Sequence, residues 1–386
     1  MLKLLPLVVS AFLGTFSTRV LSNSFNYEHY PRSYKAPKCS SSSFIDKIDG
    51  DITKAEWISA PWSEEFGDIR GGQDASPSSH PPPSCNTRVK MMWDEKYLYV
   101  AALIKSYNRT VETSFIERNS FMYKKDSTFE VFVDAAGCCH NYKQLELNGY
   151  NTVWNLLLDK PYNDGGTEHS GKVASDPSDS KYWEATKQRT ATKLLWGEWN
   201  DPKGAVWSLE ISLAHSDSLS KYSPLMQHKL KPREGQKWRI NFNRSEGKGD
   251  TNWSWSPQIV WVPSTGRFEG IGSTHLPDAW GFVHFSESAE GRRIEDELFP
   301  LRLAATNIYY AQAFYLRKES KYASNIQELL PYVDNTTLSP FEVNIFINDG
   351  ASQYKAEIYG SDTLHQASIT SDRLLSTDWD ADLLFS

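Results

Sequence analysis

The chain has 386 residues, 39% of them hydrophobic, with a net charge of -7 and a pI near 5.8. That is enough apolar material for a core and too much chain for one small domain, so two domains are expected, one of them large. No run of Lys or Arg is long enough to track a phosphate backbone, which argues against nucleic acid and for neutral or weakly charged ligands.

Residues 1–22 combine Lys3, the apolar run LLPLVVSAFLGTF and a small-residue exit, the layout of a cleaved secretory signal. The run is too short for a typical membrane span, so an exported, extracellular product starting near Asn23, with no span in the mature chain, is expected. Residues 23–43 are polar and rich in Tyr, Pro and Ser, which reads as an extended leader that packs little. IDGDITKAEWISAPW then places a turn at Asp49-Gly50 and a short helical piece whose Ala55 and Trp57 close over a core. Gly67 to Asn86 is a loop rich in Gly, Ser and Pro.

From Thr87 the period becomes two. Val89, Met91 and Trp93 alternate with Arg88 and Lys90, Asp94 to Lys96 break the pattern, and Leu98, Val100, Ala102 and Ile104 restart it, which is a hairpin. In DSTFEVFVD, Phe129, Val131 and Val133 point one way and Glu130, Phe132 and Asp134 the other. The next strand sets Leu145 and Leu147 inward and Gln144, Glu146 and Asn148 outward. The pattern weakens from Asp176 to Asn200, then resumes in AVWSLEISLAH, KWRINFNRSE, WSWSPQIVWVP and WGFVHF. Many short strands with turns between them make the fold class mainly β, an antiparallel sandwich of jelly-roll type over residues 44–286. Residues 287–386 change character. A helical stretch, a second helix with a Ser324/Gln327 capping box stopped by Pro331, and a hairpin around Asp349-Gly350 predict a small α+β region. Its IYYAQAFYLRKESKYASNIQELL resembles the soluble part of pilin-type proteins, without their long apolar N-terminal helix.

Cys39, Cys85, Cys138 and Cys139 are an even number in an oxidising compartment. Adjacent Cys138 and Cys139 are poorly placed to bond each other, so Cys39 and Cys85 are each expected to pair with one of them. A Cys138-Cys139-His140 metal site lacks a second ligand cluster at zinc spacing. Asn108, Asn243, Asn252 and Asn335 begin N-glycosylation triplets, Asn108 and Asn335 being the ones singled out for use.

Taken in order, IDGDITKAEWISAPW, VKMMWDEKYLYVAALI, DSTFEVFVD, YKQLELNGYNTVW, WSLEISL, INFNRSE, WSWSP and AWGFVHF resemble the family-9 carbohydrate-binding modules from about Phe44 to Ser286. The resemblance implies a DOMON-like β-sandwich, non-catalytic sugar binding beside xylan- or cellulose-degrading enzymes, and structural calcium; no other cofactor is expected. It also implies two aromatic side chains around the sugar, Trp255 matching one and Tyr123, or Lys124 with a one-residue shift, standing nearest the other. Glu130 matches the strand carboxylate that bonds hydroxyls. The family's arginine falls at Leu145-Glu146-Leu147, where no arginine stands.

The residues themselves support a sugar site, because an exposed ring stacks on a sugar's C–H face while amides and carboxylates take its hydroxyls. Trp57, Trp93, Trp207 and Trp238 read as core, and Trp255, Asn148, Trp154 and Arg244 as ligand-contact candidates. A second reading is glycoside hydrolysis by a carboxylate pair drawn from Glu130, Asp134 and Glu146, against which stand a solvated face or calcium. A third is haem held between Met and His, for which Met91, Met92, His275 and His284 supply the residue types.

Overall fold

The structure, a computed structural model, describes residues 29–377 apart from 42, 77, 247–250, 291–294 and 362–364. The secretory signal and its exit therefore lie outside the described residues. In chain order the strands of the main body are β1 (Ser33–Pro37), β2 (Gly67–Asp68), β3 (Thr87–Trp93), β4 (Tyr97–Tyr107), β5 (Thr128–Asp134), β6 (Tyr142–Asn148), β7 (Val153–Leu158), β8 (Glu168–Ser170), β9 (Arg189–Gly197), β10 (Gly204–Ala214), β11 (Lys237–Glu246), β12 (Thr251–Ser254), β13 (Ile259–Val262), β14 (Arg267–Gly270) and β15 (Gly281–Ser286). Two sheets face each other. One runs β1-β15-β11-β5-β6-β7-β8, with β12 on β11 and β2 on β12; the other runs β3-β4-β10-β9. Their pairings are antiparallel apart from β1 with β15.

The alternation seen in the sequence sets the layers. Val89, Met91, Val100, Ala102, Leu209 and Ile211 of one sheet meet Phe129, Val131, Leu145, Ile240, Phe242 and Val283 of the other in one buried cluster. Each of these side chains larger than alanine contributes about 1.5–3 kcal/mol when fully buried. The leader packs more than its composition suggests. β1 joins the sheet in register with β15, and the Tyr34 hydroxyl donates to the Pro61 carbonyl at 2.6 Å.

The outer face of the second sheet is closed by residues 44–60, with Phe44, Trp57 and Ala60 on Met92, Tyr99 and Ala101. Glu210 on β10 fastens this cover. Its carboxylate accepts from the amides of Asp49 (3.0 Å) and Gly50 (2.9 Å), from Lys54 Nζ (2.6 Å) and from Trp57 Nε1 (2.7 Å). Gly50 is required there: its φ is +85°, and a Cβ would lie 2.8 Å from the Thr192 carbonyl carbon.

The C-terminal unit is the helix α1 (Phe299–Glu319) laid over a four-stranded sheet, β16 (Glu342–Ile347), β17 (Tyr354–Tyr359), β18 (Gln366–Thr370) and β19 (Leu375–Thr377). The expected capping box moves by one residue: Asn325 accepts from the Glu328 amide, while Glu328 accepts from Ser324. The unit is welded to the sandwich by Arg373, which pairs with Asp164 and Asp278 at 3.0 Å each and donates to the Tyr309 hydroxyl. The Leu375 amide donates to Cys138, Trp261 Nε1 donates to Tyr332, and Arg302 donates to the Gly137 carbonyl.

The expected disulfides are not formed. All four cysteines are buried thiols outside any disulfide, and they divide among three apolar clusters. Cys85 and Cys138 lie in the sandwich core, Cys39 beside Phe44 and Trp57, and Cys139 in the core of the C-terminal unit. Successive residues 138 and 139 point into different cores, so they cannot both turn to Cys39 and Cys85. Asn108 and Asn335 are exposed, Asn243 is buried on β11 and Asn252 is half-buried on β12. Among the described residues no helix is long and apolar enough to cross a membrane, and no three His, Cys, Asp or Glu side chains converge as metal ligands.

Candidate functional site

The sheet face turned away from the sandwich core carries the polar half of the alternation. Register places Asn243 of β11 opposite Glu130 of β5, Glu130 opposite Glu146 of β6, and Glu146 opposite Trp154 of β7. At the usual strand spacing this row of four is about 14 Å long. Gln144, one step along β6, donates to Glu130 at 3.3 Å; Asn243 Nδ2 donates to it at 3.3 Å and Thr128 Oγ1 at 3.4 Å. Three polar atoms of the row are buried with no partner among the described residues: Glu146 Oε1, Asn243 Oδ1 and Trp154 Nε1. Buried polar atoms are nearly always bonded, so three orphans in one row mark a place for a hydrogen-bonding occupant.

The two carboxyls control the row's charge. Burial pushes Glu130 up to about 7, against the pull of its bonds from Asn243 and Thr128. Burial, then the facing Glu130, raises Glu146 well above the usual carboxylate range. Neighbouring carboxyls cannot both ionise cheaply, so at neutral pH the pair retains a proton and offers both a donor and acceptors. The folded-state values lie above those of the unfolded chain. The pair therefore contributes stability that is complete below about pH 4.5 and is lost as pH rises, beginning as Glu130 titrates at about 7 and continuing in the same direction with Glu146. Urea unfolding of the wild type and of Glu130→Gln/Glu146→Gln at pH 5 and pH 8 checks this. The wild type is expected to lose ground relative to the variant at the higher pH; parallel profiles would contradict it.

At one end of the row, Phe121 sits edge-on to Trp154 at 5.7 Å and Lys172 lies over the indole at 4.5 Å. Phe121 and Tyr123 are 44% and 41% exposed and contact each other at 6.2 Å. Beyond the row, Met122, Phe132, Tyr142, Leu156 and Trp280 fill the face with apolar packing. Exposure along the row is 1% at Asn243, 4% at Glu130, 1% at Glu146 and 5% at Trp154, so access is confined to the Trp154 end beside Phe121 and Tyr123.

Of the residues expected from sequence, Glu130 and Trp154 share this row and Tyr123 stands at its mouth. Three others do structural work. Trp255 is 0% exposed, packed on Phe242 and so close to Gly281 that a Cβ there would lie 2.3 Å from the indole, so it offers no face to a sugar. Asn148 spends both amide hydrogens on Phe115 O and Asp126, and its oxygen accepts from Tyr150 and Thr152. Arg244 points inward and bonds Glu246, Thr87, Ser106 and the Lys105 carbonyl, tying the two sheets together. Asp134 accepts from the amides of residues 137, 138 and 139 and caps their turn. The hydrolase reading finds Glu130 and Glu146 side by side on one sheet face rather than across a cleft. The haem reading finds Met91 in the sandwich core and Met92 on the opposite face of β3, while the Tyr142 hydroxyl contacts His275 Nδ1 at 2.9 Å beyond the other sheet, so neither methionine is placed with that histidine. Phe121, Gln144 and Asn243 were not expected as site residues. For Gln144 the outward alternation with Glu146 was a usable signal; for Asn243 it was the same count along β11.

Residues 48–155 match the family model described as carbohydrate family 9 binding domain-like. Solved structures that align include a candidate carbohydrate-binding protein of Bacteroides uniformis, 16% identical, over 66% of this chain and 100% of that one at a TM-score of 0.44. A carbohydrate binding module family 9 of Caldicellulosiruptor kristjanssonii aligns in complex with cellotriose and with glucose. Both are 16% identical over 69% of this chain and 99% of theirs, with TM-scores of 0.37 and 0.38. No curated protein matches. The matched stretch runs from the Asp49 turn that holds Glu210 through the strands bearing Glu130, Glu146 and Trp154, so over residues 48–155 the chain is similar to the carbohydrate family 9 binding domains.

Proposed function

We propose that the protein is an exported carbohydrate-binding protein without catalysis of its own, which takes the end of a neutral oligosaccharide at the Phe121–Tyr123 mouth of the row Asn243–Glu130–Glu146–Trp154. The observation that carries this is the set of unpartnered donors and acceptors on strands within or beside the stretch similar to family-9 binding domains. The protonated carboxyl pair, Gln144 and the free Trp154 N–H match the mixed donor and acceptor pattern of sugar hydroxyls. Phe121 and Tyr123 at the mouth supply the rings on which a sugar face stacks. Glycans on Asn108 and Asn335, and a glycan-degrading enzyme as partner, belong to the same proposal. A glycan array probed with the full chain tests it, with cellotriose among the probes. Saturable binding of neutral oligosaccharides is expected; no retention of any glycan sinks the proposal, and cleavage of a bound one moves the protein to the hydrolase class.

A further inference from the structure

We propose a second ligand site, for an acidic sugar, at the end of the sandwich where the β3–β4 turn meets residues 214–231. It rests on a cavity of its own and not on the sheet row. The cavity measures about 490 Å³ and is lined by Lys96, Lys187, Lys231, His215, Tyr97 and Leu219, a volume in the range of small-ligand sites. In a chain of net charge -7, three lysines converge here. None of them is within 4 Å of a carboxylate among the described residues; Lys187 Nζ reaches Ser216 Oγ at 3.3 Å, and its charge also acts on nearby Asp217, which accepts from the Lys187 amide. Glu95 on the rim pairs instead with Lys38 at 3.1 Å.

The buried polar member of the lining is His215, 4% exposed, which sets the chemistry. Its Nε2 lies 2.9 Å from the Asp94 carbonyl oxygen, which can only accept, so Nε2 carries the proton. The other ring nitrogen, Nδ1, is then a bare acceptor, buried and with no partner. Burial, helped by Lys231 and opposed by the Asp94 carbonyl and charge, holds the ring neutral, with its pKa down at about 4. A simple anion would satisfy the lysines and leave Nδ1 empty. A ligand with a hydroxyl beside its anionic group satisfies both, the hydroxyl donating to Nδ1 and the carboxylate meeting the lysine ammonium groups. Tyr97 and Leu219 offer apolar wall for a C–H face. Together these requirements describe a uronic acid residue of a polysaccharide.

Calorimetry on the full chain at low salt tests the site with galacturonate trimer, its methyl ester, inorganic sulfate, which has no hydroxyl to donate, and cellotriose. The trimer is expected to bind at least tenfold more tightly than the ester or sulfate. Lys96→Gln with Lys231→Gln, both exposed positions that leave the core intact, is expected to weaken the trimer tenfold or more and leave cellotriose unchanged. In parallel, the Nδ1 resonance of His215 should shift on trimer binding. Equal affinity for acid and ester, sulfate as tight as the trimer, or a lysine variant that binds normally would each overturn the site. Loss of cellotriose binding in the wild type would strike the sheet row and leave this site standing.

Discussion

Glu210→Ala is expected to destabilise the protein by about 3–5 kcal/mol, the cost of removing one partner from a buried ion pair. The Glu210 side chain is fully buried, and its two oxygens collect four donors, two of them the consecutive amides of Asp49 and Gly50. Removing it leaves those amides and the Trp57 indole facing a void, and Lys54 keeps only Asp49 and the Asp51 carbonyl. The cover made by residues 44–60 then loses the four bonds made by Glu210 and keeps the Ser208 hydroxyl's 2.6 Å bond to the Gly50 carbonyl as a polar contact with β10, which loosens the packing over Met92 and Tyr99. Glu210→Gln retains the shape but turns an NH2 toward donors, so it should fall between wild type and alanine. Urea unfolding measures both; an alanine cost under about 1 kcal/mol would refute the role given to this carboxylate.

Arg373→Ala is expected to cost a similar amount, about 3–5 kcal/mol, by leaving Asp164 and Asp278 buried and unpaired. Those carboxylates are 3% exposed, and the guanidinium also lies 4.5 Å from the Tyr309 ring centroid. Because Asp164 and Asp278 belong to the sandwich side and Arg373 to the end of the C-terminal sheet, the loss should concentrate at the seam. Hydrogen exchange should quicken in β18, β19 and the neighbouring turn more than in β5 or β6. Uniform exchange in wild type and variant would show that the two bodies are held by other contacts.

The strands that build the site were legible because one face is core: Phe129, Val131 and Val133 fix the direction of Glu130, and Leu145 and Leu147 fix that of Glu146. Strand β9 was missed because it is an edge strand with little burial on either face, so its composition carries no period. Trp255 was misread for the opposite reason. Ser and Pro around it suggested a turn, yet Trp253 and Trp255 sit two residues apart and both point into the core, which is the strand period itself. Apart from Glu246, the partners of Arg244 lie on β3 and β4, more than 130 residues away along the chain, and no local pattern announces them. The same distance effect hid the division of Cys138 and Cys139 between two cores.

The sheet row is tested most directly at Trp154, whose indole N–H is buried and without a partner. In a ¹H–¹⁵N spectrum of the full chain the resonance is assigned by its disappearance in Trp154→Phe and followed during titration with cellotriose. The expected result is a saturable downfield shift of that one indole signal, as a sugar hydroxyl accepts from it, with the buried Trp255 signal still. Saturation of the protein with cellotriose while the Trp154 signal stays fixed would contradict the site.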